Sequence, residues 1–228
     1  MQTTREFSLP ISLSASTQAQ TYLLFAVAMG LTVVGVFLGM MFTVQLLTSG
    51  IHFLFAIAEL AIIFTATSWM ERSPLNVFLF GAFPLLSGIT FTPYIIMVLA
   101  GYVNGAAILI NAFLATTFLA LAAAVFARVA PNLAGLARGL LLALIGIIIF
   151  SIVQIFVPGL RTGPAELLIS GIGVAIFALF TAIDLQRISY QGRLGANPFL
   201  LALSLYLDIF NLLVMVLRFM LALSGERR

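Results

Sequence analysis

Seven stretches of this chain, roughly 21–42, 50–70, 77–99, 104–127, 134–157, 165–189 and 198–223, are apolar almost throughout. Each runs to about 20 residues, and a helix of that length rises about 30 Å, the thickness of a bilayer's hydrocarbon core. Short polar turns separate them: Thr48 to Gly50, Glu71 to Pro74, Ala100 to Tyr102, Pro131-Asn132, Pro158 to Pro164 and Gln191 to Pro198. Connections this short make sequential neighbours antiparallel. The pattern predicts an all-α membrane protein, a compact seven-transmembrane-helix bundle over 21–228 behind a polar N-terminal tail at 1–20. The tail is rich in Ser and Thr, and the apolar run after it is long enough to be kept as a spanning helix rather than cleaved as a signal.

Only 7% of the residues are charged, against about a quarter in a soluble domain, so no soluble domain fits beside the bundle. All ten basic residues are arginine and none is clustered, which gives no basic tract for nucleic acid. With the N-terminus inside, Arg5, Arg72, Arg128, Arg138, Arg187 and Arg193 fall on the inner side. Arg161, Arg218, Arg227 and Arg228 fall outside. That bias predicts a cytoplasmic N-terminus. The short chain and minimal loops fit a bacterial inner membrane. There is no cysteine and a single histidine, His52, which excludes disulfides, thiolate metal sites and multi-histidine zinc sites. His52 itself reads as an interfacial residue.

Three of the seven acids sit inside apolar segments: Glu59, Asp184 and Asp208. A carboxylate in lipid is costly and marks a functional hypothesis by default. Counting inward from the helix ends places Glu59, Asp208 and Asp184 at depths of about 16, 15 and 8 Å. All three are therefore expected to converge in the cytoplasmic half. Two carboxylates about 4 Å apart repel by about 4 kcal/mol at an effective dielectric near 20. Such a pair shares one proton and titrates as a unit. Loss of that proton leaves a doubly negative site that favours separation or a hard divalent cation. Calcium suits these oxygens, though two carboxylates alone make only a weak, transient site.

Plainer readings stand beside these. Asp184 has Arg187 one turn on and can form an intrahelical salt bridge. Asp208 has only Asn211 one turn on, while Arg218 is read as snorkelling at the far end. Glu59 reads either as part of the ion pathway or as a neutral acid hydrogen-bonded to a neighbouring helix. Pro84 and Pro93 are expected to interrupt and kink the third helix near Ser87, Thr90 and Thr92, either for packing or to line a hydrated pore. Gly30, Gly35, Gly39, Gly171 and Gly173 suit close helix approach. Enzyme chemistries fit poorly. The histidine count excludes a zinc metalloprotease motif, and no glycine-flanked serine with a helical histidine partner is evident. Asp184 follows Ile183 and Asp208 follows Leu207, so the YD and GLGD motifs of intramembrane aspartyl proteases are absent.

The segment Leu205-Tyr-Leu-Asp-Ile-Phe-Asn-Leu212, followed by Leu217-Arg-Phe219, resembles the last-helix signature LYLD-x-x-N-L…LLR of Bax inhibitor motif proteins. Phe177 to Ile188 resembles that family's preceding helix, and Glu59 to Ile63 its second helix, which carries an internal glutamate. The resemblance implies seven helices around a central last helix, and a pH-sensitive calcium leak. In the family two aspartates form a proton-sharing dyad that governs opening; carried over, these are Asp184 and Asp208. Bacterial relatives include a modulator of a membrane-bound AAA protease. Some also carry an arginine at the inner end of the second helix that pairs with a dyad acid. Here Glu71 stands at the apparent match with Arg72 beside it, which leaves such a latch unassigned.

The combined expectation is a non-enzymatic, cofactor-free, pH-gated passive cation pathway. Asp184, Asp208 and Glu59 would be the pH-sensing and ion-pathway residues. Asp184 and Asp208 would hold calcium weakly, with Arg187, Asn211, Arg72 and Glu71 in support. Its partners would be the lipid bilayer, calcium ions and protons. The alternatives are a non-conducting regulator of a membrane-bound protease, with the N-terminal tail as its contact, and a proton-coupled transporter.

Overall fold

The computed structural model describes residues 16–225. Arg5, Arg227, Arg228 and nearly all of the N-terminal tail lie outside the described residues. Among the described residues nine α-helices follow in order: α1 Thr17–Met41, α2 Thr43–Ser49, α3 Ile51–Phe64, α4 Ala66–Trp69, α5 Leu75–Gly101, α6 Gly105–Val129, α7 Ala137–Phe156, α8 Gly163–Gln191 and α9 Pro198–Ser224. Local signals set their ends. Ser16 caps α1 by accepting from the Ala19 amide at 3.3 Å, so the helix starts four residues before the apolar run. Asn197 caps α9 from the Phe199 amide at 2.9 Å, and Pro198 fills its first position, where a missing N–H costs nothing.

Among the described residues, six helices are long and apolar enough to cross a membrane. The bent pair α2–α3 brings the count to seven if it is one span. The second span expected over 50–70 starts at the turn expected over Thr48 to Gly50, but it is preceded by the unexpected helix α2 and is divided at Thr65 into α3 and α4. Gly50 turns the chain by 87° with φ at +69°, a left-handed conformation open to glycine because it has no Cβ. His52 Nδ1 donates across the bend to the Leu46 carbonyl at 2.8 Å, fastening α2 to α3. A second break at Thr65 separates α4, and Trp69 Nε1 closes it by donating to the Ile62 carbonyl at 3.0 Å.

The last helix is the core of the bundle. Leu201, Leu205, Tyr206, Leu212 and Leu217 of α9 are fully buried, and α9 packs against α8, α1, α6 and α5. The outer helices turn their large apolar side chains to the exterior, as in Phe118 of α6 and Leu142 of α7, the arrangement that lipid favours. The tightest approach is between α1 and α5. A Cβ on Gly35 would collide with the Leu85 carbonyl, and one on Gly88 with the Thr32 carbonyl. Gly39 packs on Thr92 in the same way, and Gly173 of α8 packs on Met215 of α9. Gly30, by contrast, meets nothing within 4 Å. The helix α5 runs unbroken through Pro84 and Pro93 rather than being interrupted there.

Candidate functional site

Helices α8 and α9 are antiparallel neighbours, so residues at matched heights face each other. Asp184 of α8 and Asp208 of α9 meet this way. Their carboxyls lie against one another, with the Ser204 hydroxyl, one turn before Asp208, also facing Asp184. Asp184 is only 7% exposed. One oxygen of each carboxyl, Oδ2 of Asp184 and Oδ2 of Asp208, is buried with no hydrogen-bond partner. A buried acceptor without a donor costs about 1–3 kcal/mol, more if charged, unless a proton or cation supplies what the protein withholds.

The pair borders a cavity of about 900 Å³ between α7, α8 and α9. Asn132, Tyr190 and Gln191 lie at one end, where α1 begins and the α6–α7 turn closes. Leu144, Phe177, Phe180 and Leu207 form its apolar wall. Gln186 fixes that end: its Nε2 donates to the carbonyls of Ala127 at 3.0 Å and Pro131 at 3.2 Å, and its Oε1 accepts from the Leu133 amide at 2.9 Å. Deeper along the same groove, Ile147, Ile169 and Ile176 pack with Leu144 and Phe180 and fill the bundle.

Arg187 and Asn211 both line this cavity. The intrahelical Asp184–Arg187 salt bridge does not form. Arg187 Nε instead donates to Gln191 Oε1 at 2.9 Å, leaving its charge near Asp184 without a direct ion pair. Glu71 and Arg72 are exposed in the turn before α5 and do not line the cavity.

Glu59 does not join the aspartates. Its Oε2 accepts from Ser87 Oγ at 2.9 Å and its Oε1 from Thr90 Oγ1 at 2.7 Å, both on α5. It lies on the Tyr206 flank of α9, and Tyr206 is two residues from Asp208, on nearly the opposite side of the helix. Counting depth places Glu59 at the right height and the wrong azimuth. The hydroxyls of Ser87 and Thr90, expected near a kink, are the partners of this acid. On the same flank Tyr206 OH bonds Thr32 Oγ1 at 2.8 Å, tying α9 to α1.

A second polar cluster at the opposite end was not legible beforehand. Arg218 does not snorkel: its Nε donates to Glu166 Oε2 at 2.7 Å and its Nη2 to Gln154 Oε1 at 3.1 Å. Gln154 Nε2 donates in turn to Glu166 Oε1 at 3.0 Å, and Arg161 Nε donates to the Gln154 carbonyl at 3.1 Å. These groups border a cavity of about 540 Å³ with Tyr94 and Tyr102. The available signal was Gln154, a polar residue inside the apolar run of α7 that is 2% exposed.

No group of three or more His, Cys, Asp or Glu side chains able to hold a metal occurs among the described residues. The aspartate pair alone cannot supply the six to eight oxygens of a tight calcium site.

Comparison with known proteins agrees with the last-helix signature. The family model described as Inhibitor of apoptosis-promoting Bax1 matches residues 15–225. An uncharacterised protein of Helicobacter pylori is 32% identical over 199 residues, covering 87% of this chain and 83% of its own length. One from Campylobacter jejuni is 31% identical over 212 residues, covering 91% and 88%. An uncharacterised membrane protein of Streptococcus pyogenes is 30% identical over 171 residues, covering 72% and 71%.

Proposed function

The chain belongs to the Bax inhibitor family, and on that premise we propose that this multi-pass membrane protein is a passive cation leak whose opening is set by one proton shared between Asp184 and Asp208. Calcium is the ion the oxygen ligands favour. The observation that carries the reading is the pair of buried, donorless Oδ2 atoms on two carboxyls that lie against each other beside a cavity. A single proton bridges them and holds α8 to α9. Its loss leaves two like charges, which repel and bias the bundle toward separation of those helices. A cation that then enters meets two hard oxygens and Ser204, enough to attract it and too few to hold it, as permeation requires.

In this reading Asn211 is a further oxygen donor at the cavity wall, and Arg187 tunes the charge of the pair without neutralising it. Glu59 serves α3–α5 cohesion rather than the pathway. The protein acts without catalysis, in a bacterial inner membrane with its N-terminus in the cytoplasm, so the aspartate cavity faces the cytoplasmic side. Calcium flux into liposomes carrying the purified protein tests this. Flux that rises between about pH 6 and 8, and loses that dependence in Asp208→Asn, supports it. Absence of flux above empty liposomes at every pH favours instead a non-conducting regulator of a membrane-bound protease or other membrane partner.

A further inference from the structure

The aspartate cavity is much larger than a dehydrated metal ion needs, and most of its lining surface is apolar although polar side chains stand along it. Its volume, about 900 Å³, is in the range of small-molecule sites. Phe177 and Phe180 stand in its wall with ring centroids 6.4 Å apart. Asp184, 7% exposed, and Asp208 both line it, and just beneath its surface each keeps a covered Oδ2 with no hydrogen-bond partner. The donor count separates two kinds of cation. A tight calcium site needs six to eight converging oxygens, and the lining offers only two carboxylates, Asp184 and Asp208. A primary ammonium needs only two or three acceptors for its N–H groups, and it gains further from an apolar body against apolar walls and from nearby aromatic faces.

We propose that this cavity is a binding site for amphiphilic organic ammonium ions, whose N–H groups take the place of the proton shared by Asp184 and Asp208 while an aryl or alkyl body fills the Phe177–Phe180–Leu144 wall. The proposal rests on the proton-sharing reading of the pair, and it does not require that the protein conduct.

Charge fixes the sign of its pH dependence. The charged and titratable side chains lining the cavity are Arg187 and Tyr190 from α8 and the two aspartates. From α7 and the turn before it come only Asn132, Ala134, Ala137 and Leu144. Arg187 with a singly protonated pair is already neutral, so an added cation gains little. Arg187 with a fully ionised pair carries one net negative charge, which an ammonium neutralises. Binding therefore displaces one proton. Affinity rises with pH by up to tenfold per unit until the pair is ionised in the free protein. Bound amine bridges the carboxyls as the proton does and holds α8 to α9.

The test is calorimetric titration of the purified full-length protein in nanodiscs with 2-phenylethylamine, which stays cationic across about pH 6 to 8. Its neutral counterpart 2-phenylethanol and empty nanodiscs serve as references. The amine should bind at least about tenfold tighter than the alcohol, a difference of about 1.4 kcal/mol, and should tighten as pH rises. Asp208→Asn should remove both the preference and the pH dependence. Asp184→Asn should do the same, which covers the event that one variant fails to fold. Equal binding of amine and alcohol overturns the proposal, leaving an apolar pocket that accepts any small amphiphile. Amine binding indifferent to pH overturns the displaced proton, and no binding into the millimolar range overturns the site. Amine binding without calcium flux keeps this site and removes the leak; flux governed by Asp208 without amine binding does the reverse.

Discussion

Glu166 and Asp208 are both carboxylates in the α7–α8–α9 groove, and they differ in what surrounds them. Glu166 receives the Arg218 guanidinium on one oxygen and the Gln154 amide on the other. Its network is closed: Arg218 donates to Glu166 and Gln154, both Glu166 oxygens accept, Gln154 does both, and Arg161 donates to the Gln154 main-chain carbonyl and continues the network to the surface. Asp208 meets a second acid, and each of the two keeps a buried oxygen with no donor. Satisfied ion pairs in a low-dielectric setting hold one arrangement of the chain. Unsatisfied ones store a preference for some other arrangement or for a missing proton or cation. On the proposed reading the same functional group is structural at one end of the groove and responsive at the other.

Substitutions should divide along that line. The largest effect on stability is expected from Arg218→Ala, which strands Glu166 without its cation. For a pair about a quarter exposed the loss should be about 2–3 kcal/mol, read as a melting point lower by about 5–10 °C in detergent. A double variant, Glu166→Leu with Arg218→Met, should recover most of that loss, because the desolvation cost disappears with both charges. If the double variant is as unstable as Arg218→Ala alone, the pair is not acting through its charges.

Next in size is Asp208→Asn. It removes the repulsive partner and leaves an amide that can donate to Asp184, so stability should hold within about 1 kcal/mol or improve, while the pH response disappears. A melting point that falls as far as in Arg218→Ala would make the two ends alike and break the comparison. Arg187→Gln should leave the fold intact and move the midpoint of the pH response upward by about one unit or less, since the nearby positive charge that favours ionised carboxylates is gone. Flux titrated against pH reads that shift. The smallest effect is expected from Ser204→Ala, a midpoint shift of a few tenths of a unit in the same direction.

The chain announces much of this arrangement. Long apolar runs separated by Pro, Gly and Asn place five of the long helices within a few residues, from α5 to α9, because lipid leaves the backbone no alternative to helix. The aspartates are legible because each interrupts an otherwise apolar stretch on one of two consecutive helices, and the segment around Asp208 carries the family signature. Azimuth is not legible. Glu59 matches Asp208 in depth yet sits across α9, since a residue count along an axis carries no rotation between helices that touch different faces of a third. The Glu166–Arg218–Gln154 network joins residues 52 and 64 positions apart, and nothing local distinguishes Arg218 from an arginine reaching for the membrane surface. Helix α2, on the far side of the 87° bend at Gly50, is hidden for another reason. Residues 43–49 are short and mildly apolar, equally compatible with a loop or a helix lying across the end of a span.

The central claim is that one proton between Asp184 and Asp208 sets the leak. The most direct measurement is calcium entry into liposomes holding the purified protein, followed across about pH 6 to 8 for wild type and Asp208→Asn side by side. The account predicts wild-type flux that rises with pH and a variant whose flux is flat. Flux that is absent at every pH, or a variant that keeps the wild-type pH profile, would contradict it.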